Sequence, residues 1–215
     1  MEDILYNNKL AIVGAGGLGR EIESWVSQSP LINEFSLIGF LDDNSDALLG
    51  LDNDYSVVGE INLESLEKSQ NVIIAIASHK VKTNVFEIEE NSSFNIMTYI
   101  HNNVILGKHV SLGKGVVLSP STLVSCNTKI EKGVFINCGS QIGHDVTVGK
   151  YSTIMANVDI GGGATIGENV FISTGVIILP GVKIASNVKI GAGSVVVRSI
   201  KKEGSYFGNP AKKIF

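Results

Sequence analysis

Four side chains in this sequence are of the type that exchanges a proton near neutral pH: His79, His101, His109 and His144. A free imidazole, with a pKa near 6.5, suits general acid–base work at physiological pH. His79 opens a stretch that reads as a helix, where a capping or surface role fits it. His101 and His109 lie near a change in sequence character, where plain surface placement is the ordinary outcome. His144 sits in Ile142-Gly143-His144-Asp145-Val146-Thr147-Val148-Gly149, directly before a carboxylate. A second kind of chemistry is offered by Gly14-Ala15-Gly16-Gly17-Leu18-Gly19, whose Gly14/Gly16/Gly19 spacing is a full G-x-G-x-x-G. Glycines let a backbone approach a phosphate, and a following helix N-terminus presents free N–H groups to it. Cys126 and Cys138 are too few for a disulfide framework or a zinc site.

The elements that must position these residues follow from a repeat. Of the 24 glycines in 215 residues, 7 lie in residues 1–100 and 17 in residues 101–215, so the two halves are built differently. From Leu106, every sixth residue through Val196 is Leu, Val or Ile, sixteen positions in succession. Two residues before each is a register of Val, Thr, Ser or Ala, from Val104 to Ser194, and glycine often follows the large aliphatic, as at Gly107, Gly143 and Gly161. Neither a helix nor an ordinary strand repeats every sixth residue without drift. Three hexads closing one triangular coil do, with the large aliphatic inside, the small residue at the corner and glycine at the bend. About five such coils stack at roughly 4.8 Å. His144, two positions after an inward aliphatic, then projects outward near a corner, where packing does not need it; an ordinary exposed histidine fits there too. Neighbours on a strand point opposite ways, so Asp145 joins His144 only if a bend intervenes.

The first half alternates strand and helix. Residues 9–13, 36–41 and 71–77 read as strands, the last central and parallel. Residues 20–28 and 79–91 read as helices, and 94–100 leads into the coil. This is a small α/β, Rossmann-like βαβ unit, about half a full dinucleotide-binding domain, and no domain suited to hydride transfer follows it. The loop is therefore read as holding a diphosphate through Gly14, Gly16, Gly17 and Leu18, with Asp42 and Asp43 at the end of the second strand facing a ribose or base. A solvated turn before Asn44-Ser45 is the other reading of that pair. A net charge of -4 gives no reason to expect nucleic acid or an anionic membrane as partner. Met1 to Asn8 lacks the features of a secretory signal, and the longest apolar run, Val72 to Ala77, is far too short to span a membrane. A cytoplasmic protein is expected.

The hexads match [LIV]-G-x-x-[STAV]-x and resemble those of the hexapeptide-repeat acyltransferases, which implies a left-handed parallel β-helix over residues 101–215, with a short C-terminal tail, after the α/β domain of residues 1–100. Together with the glycine-rich loop and Gly208-Asn209-Pro210-Ala211-Lys212, nearly the whole chain is similar to the bacterial sugar acetyltransferases of the bacillosamine, perosamine and sialic acid type. In that family a histidine followed by an acidic residue is the general base, so the resemblance implies this role for His144, with Asp145 fixing its tautomer and stabilising its cation. It further places Asn137 near the acceptor sugar, the Gly162 amide against acetyl-CoA as an oxyanion donor, and Thr174 and Ala192 at further coenzyme contacts. Thr153 and Leu18 stand where some relatives carry histidines, beside the coenzyme and in the glycine-rich loop respectively. Lys183, Lys189, Lys212 and Lys213 suit coenzyme phosphates or a solvated face equally.

The expected function is acetyl-CoA-dependent N-acetylation of the 4-amino group of a nucleotide-linked sugar, without a metal; O-acetylation of a sugar hydroxyl is the alternative. A zinc hydratase on the same coil needs three converging histidines, and His101, His109 and His144 share no register. A binding-only scaffold would release no thiol from acetyl-CoA. Flat prism faces and the family resemblance imply a homotrimer with active sites between neighbouring coils.

Overall fold

The computed structural model describes residues 8–214, so the reading of Met1 to Asn8 falls, Asn8 aside, outside the described residues. The chain divides into two compact units, one ending at Met97 and the other beginning at Thr98.

In the first unit five strands form one parallel sheet: β1 (Lys9–Val13), β2 (Ser36–Leu41), β3 (Val57–Gly59), β4 (Asn71–Ile74) and β5 (Asn95–Ile96), in the order β3-β2-β1-β4-β5. The helices are α1 (Gly17–Ser27), α2 (Leu63–Ser69) and α3 (His79–Glu89). Leu10 to Val13 and Val72 to Ile74 are all buried, as aliphatic runs covered on both faces must be. The chain order reverses between β1 and β4, and ligands of such sheets bind at the carboxyl ends of strands beside that reversal. Three boundaries differ from the sequence reading. The helix after β1 starts at Gly17, inside the glycine motif, because Gly16 already serves as its N-cap. The strand expected over 71–77 stops at Ile74. Short β3 and α2 occupy a stretch with no apolar period long enough to announce them.

The second unit is a parallel β-helix. Two-residue strands recur on three faces, each pairing with the strand eighteen residues away, as Leu123 with Gln141 or Gln141 with Asp159. The first face runs from Tyr99–Ile100 through Phe135–Ile136 and Thr153–Ile154 to the tail strands Gly204–Phe207 and Lys212–Lys213. The second runs from Ile105–Leu106 through Gln141–Ile142 to Val195–Val196, and the third from Ser111–Leu112 through Thr147–Val148 to Lys183–Ile184. From Leu118 to Val196 every large aliphatic of the repeat is buried. Leu106, at 42% exposure, and Leu112, half-buried, are the exceptions, because each strand is the first on its face and pairs on one side only.

The corners revise one expectation. The left-handed conformation falls not on the glycine after the aliphatic but two residues later, at His109, Ser121, Asn127, Asp145, Asn157 and their equivalents, with φ between 55° and 61° for the non-glycine members. Glycine directly after the aliphatic answers to close approach instead: a Cβ on Gly143 would lie 2.6 Å from the Gly162 nitrogen in the next coil. Hydroxyls in the small register bond to turn carbonyls, as Thr128 Oγ1 does to Gly143 O at 2.8 Å and Ser152 Oγ to Gly167 O at 2.9 Å, so these buried polar groups are satisfied. No helix among the described residues is long and apolar enough to cross a membrane.

Candidate active site

His144 lies at the corner between the second and third faces, just after the strand Gln141–Ile142. Asp145 takes the left-handed turn there, with φ 58°, and its N–H donates to the Cys126 carbonyl one coil below at 3.0 Å. That bend is what the pairing needs. It brings Asp145 Oδ2 to 2.7 Å from His144 Nδ1, although both side chains remain more than half exposed. The His144 hydrogen bond, followed by one from the Asn127 side chain, holds the Asp145 carboxyl below the usual carboxylate range against a small opposing effect of burial. A carboxylate accepts, so Nδ1 carries the proton and Nε2 keeps a lone pair for a base's work.

Gly162 stands one coil above, on the same corner. A Cβ there would meet His144 Nε2 at 2.5 Å, Cε1 at 2.7 Å and Cδ2 at 2.9 Å, so the ring packs where any other residue would put its side chain. The Gly163 N–H bonds back to the His144 carbonyl at 2.8 Å, while the Gly162 N–H has no hydrogen-bond partner among the described residues. One corner thus holds a tautomer-fixed imidazole beside an unused backbone donor, the two parts that acyl transfer to a nucleophile requires. The sequence reading did not single out Asn127. Its signal is the coil length, since it stands eighteen residues before Asp145 in the same left-handed position.

Other expected residues lie elsewhere in the coil. Asn137, Thr174 and Ala192 belong to the corner between the first and second faces, so one chain does not bring them to His144. Thr174 and Ala192 are exposed, whereas Asn137 is 8% exposed and its Oδ1 accepts from the Cys138 N–H at 2.7 Å. Thr153 is 1% exposed; its outward register predicts exposure, but the neighbouring outward residues Val117 and Phe135 of that face are buried too. Lys183 lies exposed on the third face, and Lys189, Lys212 and Lys213 lie exposed on the first, so the four do not converge. His101 Nδ1 accepts from the Asn103 N–H at 3.0 Å in a turn, and burial pushes its pKa down. His79 begins α3, and His109 takes a left-handed corner. Among the described residues, no group of three or more His, Cys, Asp or Glu is placed to hold a metal ion.

The glycine-rich loop divides its glycines between two tasks. Gly14 has φ 103°, and its Cβ would collide with Ile76 at 2.6 Å; a Cβ on Gly19 would strike the Gly14 carbonyl. These two are required by packing. Gly16 and Gly17 are exposed and uncrowded, and they open α1, which has no side-chain cap and no acidic residue in its first turn. Leu18 is half-buried beside them. The N–H groups there suit an anion. The two aspartates organise backbone. Asp42 Oδ2 accepts from Ala15 N–H at 2.8 Å and its Oδ1 from Asn44 N–H at 2.9 Å, while Asp43 Oδ1 accepts from Ile61 N–H at 2.9 Å. Asp42 therefore ties the loop to the end of β2 rather than standing free toward a ligand.

Comparison with known proteins agrees with this layout. Residues 9–88 match the family described as the PglD N-terminal domain, and residues 127–162 and 163–198 match the bacterial transferase hexapeptide family of six repeats. A search of curated proteins finds no match. Among solved structures, the chain is similar to the acetyltransferase domain of PglB from Neisseria gonorrhoeae FA1090, at 26% identity and TM-score 0.87 over 97% of this chain and 100% of that one. It shares its fold with PerB from Caulobacter crescentus, solved with CoA and GDP-perosamine (24% identity, TM-score 0.77, 96% and 97% covered). WeeI from Acinetobacter baumannii AYE has the same fold at 24% identity and TM-score 0.68, with 97% and 100% covered. With a PglD-type α/β unit followed by a left-handed hexapeptide coil, the chain is an acetyltransferase of the hexapeptide-repeat sugar acetyltransferase type.

Proposed function

We propose that this protein transfers the acetyl group of acetyl-CoA to the 4-amino group of a nucleotide-linked amino sugar, by direct attack with His144 as general base. The observation that carries the reading is the corner itself: a 2.7 Å Asp145–His144 hydrogen bond with Gly162 against the imidazole. As the amine nitrogen bonds to the thioester carbon, His144 Nε2 takes the amine's proton, and the carbonyl oxygen, gaining charge, meets the Gly162 N–H. Collapse breaks the C–S bond, and the imidazolium returns the proton to the leaving thiolate. Such a base contributes about 10²–10⁴-fold. Asp145 stays anionic throughout and stabilises the imidazolium.

In this reading Gly162, Thr174 and Ala192 meet the coenzyme, Asn137 lies near the acceptor sugar, and the Gly16–Gly17 opening of α1 takes the diphosphate. Thr153, placed beside the coenzyme by the resemblance, and Asn137 are both buried in the single chain. Since Thr174 and Ala192 stand at a different corner from His144, the active site is assigned to the space between two coils of a homotrimer. Light scattering is expected to give a trimer; a monomer would contradict the assignment. A reaction fed by acetyl-CoA and a nucleotide sugar is read as cytoplasmic. Support comes from the gonococcal PglB acetyltransferase domain, solved also in complex with acetyl coenzyme A, and from the Caulobacter enzyme solved with CoA and GDP-perosamine.

The test combines purified protein, acetyl-CoA and a panel of UDP-, dTDP- and GDP-linked 4-amino sugars together with sialic acid, with release of CoA thiol as the signal. Turnover is expected with an amino sugar and is expected to fall at least about 100-fold in His144→Ala. Thiol release with sialic acid alone would move the acceptor from nitrogen to oxygen. Full turnover of His144→Ala would remove the general-base assignment.

A further inference from the structure

Asn127 stands one coil below Asp145 on the same corner, and both residues are left-handed, with φ 56° and 58°. Successive coils are bonded at this step, the Asn127 N–H donating to Lys108 O and the Asp145 N–H to Cys126 O, each at 3.0 Å. Side chains at equivalent corner positions therefore leave the coil in the same direction, about 4.8 Å apart, which is within reach of a hydrogen bond between them. Another corner of this coil has the same ladder, where Asn169 Nδ2 donates to Asn187 Oδ1 at 3.3 Å. On the His144 corner the lower rung is the Asn127 amide and the upper rung is the Asp145 carboxylate, which meets His144 Nδ1 at 2.7 Å and whose pKa the Asn127 side chain lowers, next after His144.

We propose that Asn127 is a positioning residue: its amide holds the Asp145 carboxylate in the one orientation that meets His144 Nδ1, and so keeps His144 Nε2 free as the base. This rests on the general-base reading of His144. An exposed aspartate by itself samples several staggered wells; here two donors, one from the coil below and one from the neighbouring residue, select a single well. Asparagine suits the position on two counts. It tolerates the left-handed backbone better than most residues, and its neutral donor leaves the carboxylate its full charge for the imidazolium.

The test uses Asn127→Gly, because glycine keeps the left-handed corner without strain. Turnover and KM for acetyl-CoA are measured in Asn127→Gly, Asp145→Ala and the double variant, alongside ¹⁵N NMR of the His144 ring in wild type and Asn127→Gly. Asn127→Gly is expected to lower kcat about tenfold, to leave KM for acetyl-CoA unchanged, and to add nothing in the Asp145→Ala background. The ring nitrogens are expected to move from one tautomer toward a mixture. An equal loss in both backgrounds, or an unchanged kcat with an unchanged tautomer, would overturn the proposal. The ring spectrum requires no turnover, so a failure of the general-base reading is seen separately in His144→Ala.

Discussion

Alanine at position 162 separates activity from stability. Its methyl would sit 2.5 Å from His144 Nε2 and 2.7 Å from Cε1. Carbon contacts are comfortable only from about 3.5 Å, so the ring must retreat by roughly 1 Å. Added to the 2.7 Å bond to Asp145, that displacement carries it beyond the hydrogen-bond range of about 3.2 Å. A misplacement of about 1 Å costs about 10²-fold in rate, or about 2.7 kcal/mol of barrier. The fold does not share the loss. The His144 side chain is 63% exposed and free to swing outward, and Gly162 is not in the left-handed region, so alanine adopts its backbone unstrained. Restricting the unfolded chain even adds roughly 0.4–1 kcal/mol. The neighbouring substitution gives the converse. Gly163 has φ 69° and open space around its Cβ, so Gly163→Ala is expected to lose about 1 kcal/mol of stability to backbone strain while keeping its turnover. Thiol release at saturating substrates and calorimetric unfolding of both variants decide the matter. A Gly162→Ala kcat within about twofold of wild type, a far smaller change than such a misplacement produces, or an activity that falls only together with Tm, would rule out the clash with His144.

Three further outcomes are expected. Lys82 is buried on α3, and desolvation lowers its pKa to about 7, whereas an unfolded lysine holds its proton to about 10.4. Between these values the unfolded state binds more protons, so this residue makes stability rise with pH; the Tm advantage of Lys82→Met should be largest near pH 7 and shrink toward pH 10, and a gap independent of pH would count against it. Asp42→Ala leaves the N–H groups of Ala15 and Asn44 without their acceptor, which should cost roughly 1–3 kcal/mol and raise KM for the nucleotide sugar more than KM for acetyl-CoA; an unaltered Tm would contradict the loop-tying role. Ile154 is fully buried and Leu106 is 42% exposed at the same register of the repeat. Ile154→Ala should therefore lose about 2–5 kcal/mol and Leu106→Ala within about 0.5 kcal/mol, measured by denaturant unfolding; equal losses would mean that the end coil is packed like the middle.

The period of six is legible in the residues alone because burial imposes it directly: a coil that hides one side chain in six selects aliphatics at that spacing, and the large register is buried from Leu118 to Val196. Strand β1, the glycine motif and α1 are legible for a similar reason, since each rests on a run of neighbours in sequence. What depends on residues eighteen apart, or on single dihedrals, is not written in any local pattern. The left-handed corner at Asp145 turned a pairing that strand alternation argues against into a 2.7 Å hydrogen bond. Where glycine follows the aliphatic, as at Gly107 and Gly143, its task changed from bending to clearance for the next coil. Thr153 went inside, although its register points outward, and Asp42, read as facing a ribose or base, accepts from the backbone of the glycine-rich loop. Asn127 acquired a role only because the coil stacks it beneath Asp145. Hydrophobic burial repeated along the chain thus makes the coil and its inward register readable in the residues alone and puts His144 on the outside, where the family resemblance makes it the candidate base. Which polar groups meet depends on the folded coil, because hydrogen bonds turn on distances of a few tenths of an ångström that the stacked backbone alone sets.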